Sequence, residues 1–205
     1  MWYCYHCQSG GKLKSALPFI RTHKVNDTVK VPEWHKYLVK IPGNPQVDKF
    51  LEKYPNLWRS QIVTWEIFGK IYMSPLEETV LKPLNKEDTP LTLVSGNLLL
   101  RGNNTVIIVE DFISGYCVHN AGFSVLILNG TSLQQPDKLV GFEEILVWLD
   151  GDWLPEYTTD SEWHSKSAGI QAAKKLQTKY GWRCIITKQD PKYYSNEDIL
   201  KYLND

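Results

Sequence analysis

Beyond about residue 95 the chain alternates between short, wholly apolar runs and segments with helical spacing. "TVIIVE" (105–110) reads as a fully buried strand, and "DFISGYCVHNAG" (111–122) as a helix stopped at Gly122. "FSVLIL" (123–128) is a second strand, and "NGTSLQQPDKLVGF" (129–142) a loop with a short helix. "EILVWLD" (144–150) is a third strand of the same continuous apolar type, which belongs inside a parallel sheet covered on both faces. "KSAGIQAAKKLQTKYG" (166–181) sets Ala168, Ala172, Leu176 and Tyr180 on one helical face, and "RCIIT" (183–187) is a fourth strand. "SNEDILKYL" (195–203) opens with Ser195 followed three residues later by Asp198, a helix-start pattern. Buried strands alternating with helices predict an α/β fold: a doubly wound, mainly parallel sheet with helices on both faces.

The pattern before residue 95 is different. Residues 1–45 are punctuated by Gly10, Gly11, Pro18, Pro32, Pro42 and Pro45, which predicts a small irregular arm. In 46–72 the apolar spacing fits two short helices broken at Pro55, a small helical subdomain. Residues 74–93 are polar and carry Pro75, Pro83 and Pro90, so a boundary is expected there. The expected organisation is an arm over 1–45, a subdomain and linker over 46–94, and an α/β domain over 95–205.

Composition narrows the class without changing this picture. A chain of 205 residues that is 42% hydrophobic can bury one sizeable core. No apolar run approaches the roughly 20 residues that span a bilayer, and the first residues lack a secretory pattern, so the expectation is a cytoplasmic protein without a membrane partner. The net charge is zero but unevenly placed: residues 1–90 hold 13 Lys/Arg against 9 Asp/Glu, and 91–205 hold 10 against 14. A basic front and an acidic rear suit a protein that holds phosphates with one part and a cation with the other. Four cysteines, only Cys4 and Cys7 being closely spaced, do not form a disulfide framework; the Cys4-x-x-Cys7 pair points to metal or redox chemistry.

The sharpest chemical signal is at the strand ends. Functional groups of open parallel sheets collect beyond the C-terminal ends of strands. Glu110 closes one apolar run, and Asp150 with Asp152 closes another. If those strands are neighbours, three carboxylates converge and repel one another unless a cation lies between them. Oxygen ligands select a hard ion, Mg2+ or Mn2+. The competing reading is plainer: Asp-Gly is a common turn dipeptide, and Asp152 could cap a helix.

"VIIVED", "WLDGD", "KSAG" and "KQDPKYYSNEDIL" together resemble the Toprim domain, the catalytic fold of primases, topoisomerases and some nucleases. "VEDFISGYCVHNAG", "LNGTSL", "VWLD" and "DPKYYSNEDIL" are similar to bacteriophage DNA primases in particular, and the likeness covers about residues 95–205. The resemblance implies Glu110, Asp150 and Asp152 as catalytic metal ligands. It implies synthesis of short RNA primers from ribonucleoside triphosphates on single-stranded DNA, with a replicative helicase as a further partner. The sequence departs from the common pattern at Asp111 and Ser114, and by "WLPEYTTDSEWHS" (153–165), an insertion expected to form a loop over the site. "WYCYHCQSGGK" resembles the second half of the zinc ribbon that begins such primases, with Cys4 and Cys7 as zinc ligands of an incomplete ribbon. Arg101, Lys166, Lys188, Lys192 and Arg59 are the candidate phosphate contacts to template or triphosphate. The alternatives are a Toprim nuclease acting on phosphodiesters and a catalytically inactive primase fragment that binds DNA or protein.

Overall fold

The computed structural model describes Trp2–Cys4, Ser9–Gly11 and residues 33–77, 80–92 and 96–204. The chain divides into two compact units, Met1–Lys30 and Val31–Asp205. In the first, β1 (Trp2–Cys4) pairs antiparallel with β2 (Ser9–Gly11), setting Cys4 opposite Ser9. Cys7 and the side chain of Cys4 lie outside the described residues, and with them the zinc expectation.

The second unit opens with a 3-10 turn over Glu33–Tyr37, then β3 (Val39–Ile41) and α1 (Pro45–Leu51). Asn44 caps α1 by accepting from the backbone N–H groups of Gln46 and Val47, and Pro45 occupies the first turn, where its missing N–H costs nothing. The second helix expected in 46–72 is instead a hairpin of β4 (Ile62–Ile67) and β5 (Lys70–Pro75). Its turn places Phe68 at φ 50° and Gly69 at φ 74°, a left-handed pair that suits the twist of a two-residue hairpin. β6 (Val80–Pro83) and β7 (Leu91–Thr92) complete an antiparallel sheet of order β3-β4-β5-β6-β7. The correction has a physical cause. Ile62 and Met73 face one side, while Val63, Trp65, Ile67 and Tyr72 face the other, and both sides are buried. With apolar residues on both faces, the period of two that marks a strand is hidden.

The remaining strands are β8 (Leu98–Leu100), β9 (Thr105–Val109), β10 (Ser124–Ile127), β11 (Glu144–Val147) and β12 (Arg183–Cys184). They form a sheet of order β12-β11-β9-β10-β8, parallel except for β8 at the edge. α2 (Phe112–Asn120) and α5 (Asn196–Asn204) cover the face presenting Ile107, Val109, Val125 and Ile127. On the opposite face, Val106, Ile108, Leu126 and Val147 pack with Ala173 and Leu176 of α4 (Ala168–Tyr180). The protein is thus a mixed α/β structure with one mainly parallel and one antiparallel sheet. Two details of the expectation shift: Ala168 is exposed, so the buried stripe of α4 is Gly169, Ala173 and Leu176, and the fourth strand is reduced to Arg183–Cys184. The insertion after Asp152 contains a helix, α3 (Asp160–Lys166), capped by the Thr159 hydroxyl.

The two sheets share one core. Val47, Leu51, Ile62 and Met73 belong to the same buried cluster as Phe112, Tyr116, Trp148 and Ile199. Among the described residues, this cluster spans both sides of the boundary expected within 74–93, beside one smaller cluster on each side. Met73, fully buried in that cluster, reports on this coupling. Met73→Ala should cost about 2–5 kcal/mol, and urea unfolding followed by tryptophan fluorescence and far-UV circular dichroism should show coincident transitions shifted together.

Candidate functional site

α2, which follows β9, packs on one face of the mixed sheet, and α4, the main helix after β11, packs on the other. β9 and β11 are hydrogen-bonded neighbours, Ile108 lying opposite Val147. Chain connections that leave adjacent strands toward opposite faces open a crevice at the C-terminal edge, where ligands of open α/β sheets bind. Glu110 and Asp111 stand at the end of β9, and Asp150 and Asp152 follow the end of β11.

Two glycines bring backbone into close contact beside this crevice. A Cβ at Gly169 would collide with the carbonyl oxygen of Asp150, and one at Gly151 with that of Thr187. The first approach seats the N-terminus of α4 on the Asp150 backbone. The second lays residues 150–152 against the segment after β12, and Trp163 of α3 adds a hydrogen bond from Nε1 to the Gly151 carbonyl at 2.6 Å. Asp152 takes a left-handed backbone, φ 48°, which aspartate tolerates better than most side chains.

A lysine expected to contact phosphate sits instead among these acids. Lys192, 5% exposed, donates from Nζ to Asp111 Oδ2 at 3.1 Å and Asp150 Oδ2 at 2.9 Å, and lies 2.8 Å from Asp190 Oδ2. Lys82 of β6 reaches the same Asp111 oxygen at 2.8 Å. Asp111 also caps α2, accepting from the Ser114 N–H at 2.8 Å. Glu110 Oε2 and Asp150 Oδ1 are buried without a hydrogen-bond partner. Among the described residues, no three His, Cys, Asp or Glu side chains are grouped to enclose a metal ion.

The proton affinities follow from this geometry. Burial, then the charges of Asp152 and Asp111, push the Glu110 carboxyl up to about 7. Burial, then the charge of Asp111, raises Asp150 as well. Burial alone would raise Asp111, but the Lys192 and Lys82 ammoniums and the Ser114 N–H outweigh it and hold that carboxyl well below the usual range. Burial would lower Lys192; its three aspartates outweigh that and hold it charged.

The other expected phosphate contacts are dispersed. Arg59 is engaged structurally, bonding Asp48 at 2.6 Å, the Ile62 carbonyl at 2.7 Å and the Thr64 hydroxyl at 2.9 Å. Arg101 is exposed with its guanidinium 5.7 Å from the Phe142 ring centre. Lys166 pairs with Glu162 on exposed α3 at 2.7 Å. Lys188 lies 5.4 Å from the Trp153 ring centre, beside an open groove of about 290 Å³ bordered by Asp152 and Tyr193. Lys192, expected to contact phosphate, is instead committed to the aspartates.

Sequence reasoning did not select Asp190, Lys82 or Lys86; Lys53 was expected only as one of the lysines from Lys12 to Lys53 that, with Arg59, could track phosphates. Lys53 is lowered by partial burial and then by the charges of Lys86, Lys192 and Lys82; of these lysines, Lys82 and Lys192 contact the acids. The available signals were faint: Asp190 sits in "KQDPK", and the lysines belong to a segment whose strands were not recognised. A larger surface depression of about 540 Å³, lined by the Lys70–Asp88 ion pair, carries no comparable group of acids and lies apart from the strand ends.

Two outcomes follow for the ion cluster. Lys192→Met strands buried aspartates, so it should cost about 3–5 kcal/mol at pH 8 and less at pH 5, where they can take up protons; urea midpoints at the two pH values check this. Because the folded-state Glu110 carboxyl holds its proton up to about 7, above its ordinary value of 4.5, its contribution is intact below pH 4.5 and lost as pH rises through 7. Glu110→Gln should therefore reduce the fall in stability between pH 5 and pH 8, measured by the same titrations.

Comparison with protein-family models, curated proteins and solved structures finds no match to this chain.

Proposed function

We propose that this protein is a divalent-metal-dependent nucleotidyltransferase of the Toprim primase type, joining ribonucleotides on a single-stranded DNA template. The observation that carries the reading is the under-neutralised acid cluster at a crevice between adjacent parallel strands. Glu110, Asp111, Asp150, Asp152 and Asp190 outnumber Lys82 and Lys192. Two buried carboxylate oxygens, on Glu110 and Asp150, lack a donor, which suits a hard cation better than it suits an empty interior.

Glu110, Asp152 and Oδ1 of Asp150 would hold Mg2+ or Mn2+. Bound there, the ion would supply charge neutralisation for the triphosphate and its pyrophosphate leaving group. Lys53 and Lys86 would meet phosphate oxygens, since an anion relieves the repulsion among clustered ammoniums. As the alternative to holding the ion, Glu110, whose carboxyl burial and the neighbouring acids push up to about 7, would accept the proton of the attacking 3′-hydroxyl. Lys192 would hold Asp111, Asp150 and Asp190 in place without touching substrate.

One observation favours a second reading. Lys192 already satisfies Asp150 Oδ2 and Asp190, as a purely structural ion cluster would, and a chain of that kind would bind nucleic acid without catalysis. Templated ribonucleotide incorporation with Mg2+ and with Mn2+ separates the two. Asp152 is exposed, makes no hydrogen bond or ion pair among the described residues, and has a backbone that asparagine also adopts. Asp152→Asn should keep the wild-type melting temperature and lower primer yield by about 100-fold or more, the scale of losing one electrostatic contact to a transition state. Unchanged yield would remove Asp152 from the mechanism, and absence of product from the wild type would favour the second reading.

A further inference from the structure

The contact of Gly151 with the Thr187 carbonyl sets two chain segments side by side just beyond the strand ends. Thr187 is itself fixed, its hydroxyl accepting from Trp148 Nε1 at 2.8 Å and donating to the Gln189 carbonyl at 2.7 Å. Asp152 and Trp153 emerge from one segment, and Lys188, Gln189, Asp190 and Tyr193 from the other, enclosing the groove of about 290 Å³.

The lining is unusual for an exposed surface. Trp153 and Tyr193 are 36% and 40% exposed, in a groove that also holds a lysine and a primary amide. The Lys188 ammonium lies over the indole, 5.4 Å from its centre. We infer that this groove seats the base of a single nucleoside triphosphate, stacked on Trp153, with Lys188 moving off the ring to meet a phosphate. The inference rests on the nucleotide-handling reading above and adds where the base is held.

A base offers the indole a full π-face, an interaction stronger than an exposed cation–π contact, so the exchange is favourable. The released ammonium stays tethered at the groove, where an anionic ligand attracts it. The Gln189 amide offers both a donor and an acceptor to a base edge. The volume suits one nucleoside rather than a run of stacked bases. Asp152 and Asp190 on the groove wall join the groove to the acid cluster, where a divalent ion would receive the phosphates.

The test is ATP binding by equilibrium dialysis and indole fluorescence, in EDTA and in Mg2+, compared with a short oligothymidylate. Wild-type protein should bind ATP with quenched fluorescence. Trp153→Ala should lose the quench and raise Kd roughly tenfold; Lys188→Gln should raise Kd severalfold and weaken its salt dependence. Both side chains are at the surface, so unchanged melting temperatures verify the fold. An unchanged Kd in Trp153→Ala overturns the inference, as does quenching by the oligonucleotide with none by ATP. ATP binding lost in Trp153→Ala, in a protein that makes no primers, would sink the polymerase reading alone. Primer synthesis with the KM for ATP unchanged in Trp153→Ala would sink the groove alone.

Discussion

The candidate site depends on one buried ammonium. Lys192 joins Asp111 at the start of α2, Asp150 after β11 and Asp190 in its own loop, three segments just beyond the ends of the β9–β11–β12 ladder. Desolvating such a group costs several kcal/mol, repaid only by close and multiple partners, so the arrangement says more about position than about net stability. Its effect is geometric: the ends of β9 and β11 and the 188–193 segment are pinned to a common point. Lys82 extends the pin to the antiparallel sheet through Asp111. Asp111, with two ammoniums and a backbone N–H, is fully served. The unmet demand falls on Oδ1 of Asp150 and Oε2 of Glu110. The cluster is therefore organised by a cation and still short of positive charge.

Backbone contacts support the same geometry from behind. Gly169 lets α4 begin directly on the Asp150 carbonyl, and Gly151 lets the chain pass against Thr187. The insertion after Asp152 contributes through Trp163, which is buried and bonded to Gly151, rather than as a loop closed over the acids. Its only large exposed aromatic at the groove is Trp153. The same insertion thus supplies a packing tryptophan to the fold and a surface tryptophan to the groove.

What was legible in the sequence had a strong periodic or terminal signal. "TVIIVE" and "EILVWLD" could only be buried strands, and their acidic ends fall at adjacent positions of the sheet. The strands of "SQIVTWEIFGKIYMSP" were hidden because both faces are apolar and because Phe68-Gly69 is not a familiar hairpin dipeptide. Lys192 was noticed as a cation near a strand end, yet its partners lie 42 and 81 residues away, and no spacing rule encodes such a contact. Asp150 has no basic residue beside it in sequence, and its ionic partner arrives from the far end of the chain. Asp111 looked like a departure from a motif, whereas its place between two lysines holds its carboxyl well below the usual range despite burial.

The uneven charge along the chain acquires a spatial meaning in this fold. The basic first half contributes Lys82, which pairs with Asp111, and the acidic second half contributes Glu110, Asp111, Asp150, Asp152 and Asp190. One shared core joins the halves, so their charges meet at the crevice rather than on opposite surfaces. Burial first, and like charges second, lower the Lys53 ammonium and raise the Glu110 carboxyl. Moving apart would relieve both groups, but Met73, Phe112 and Tyr116 in the common interior forbid it. The cluster of unlike charges is thus held by the shared interior, and within it Lys192 and Lys82 pair with the aspartates they reach.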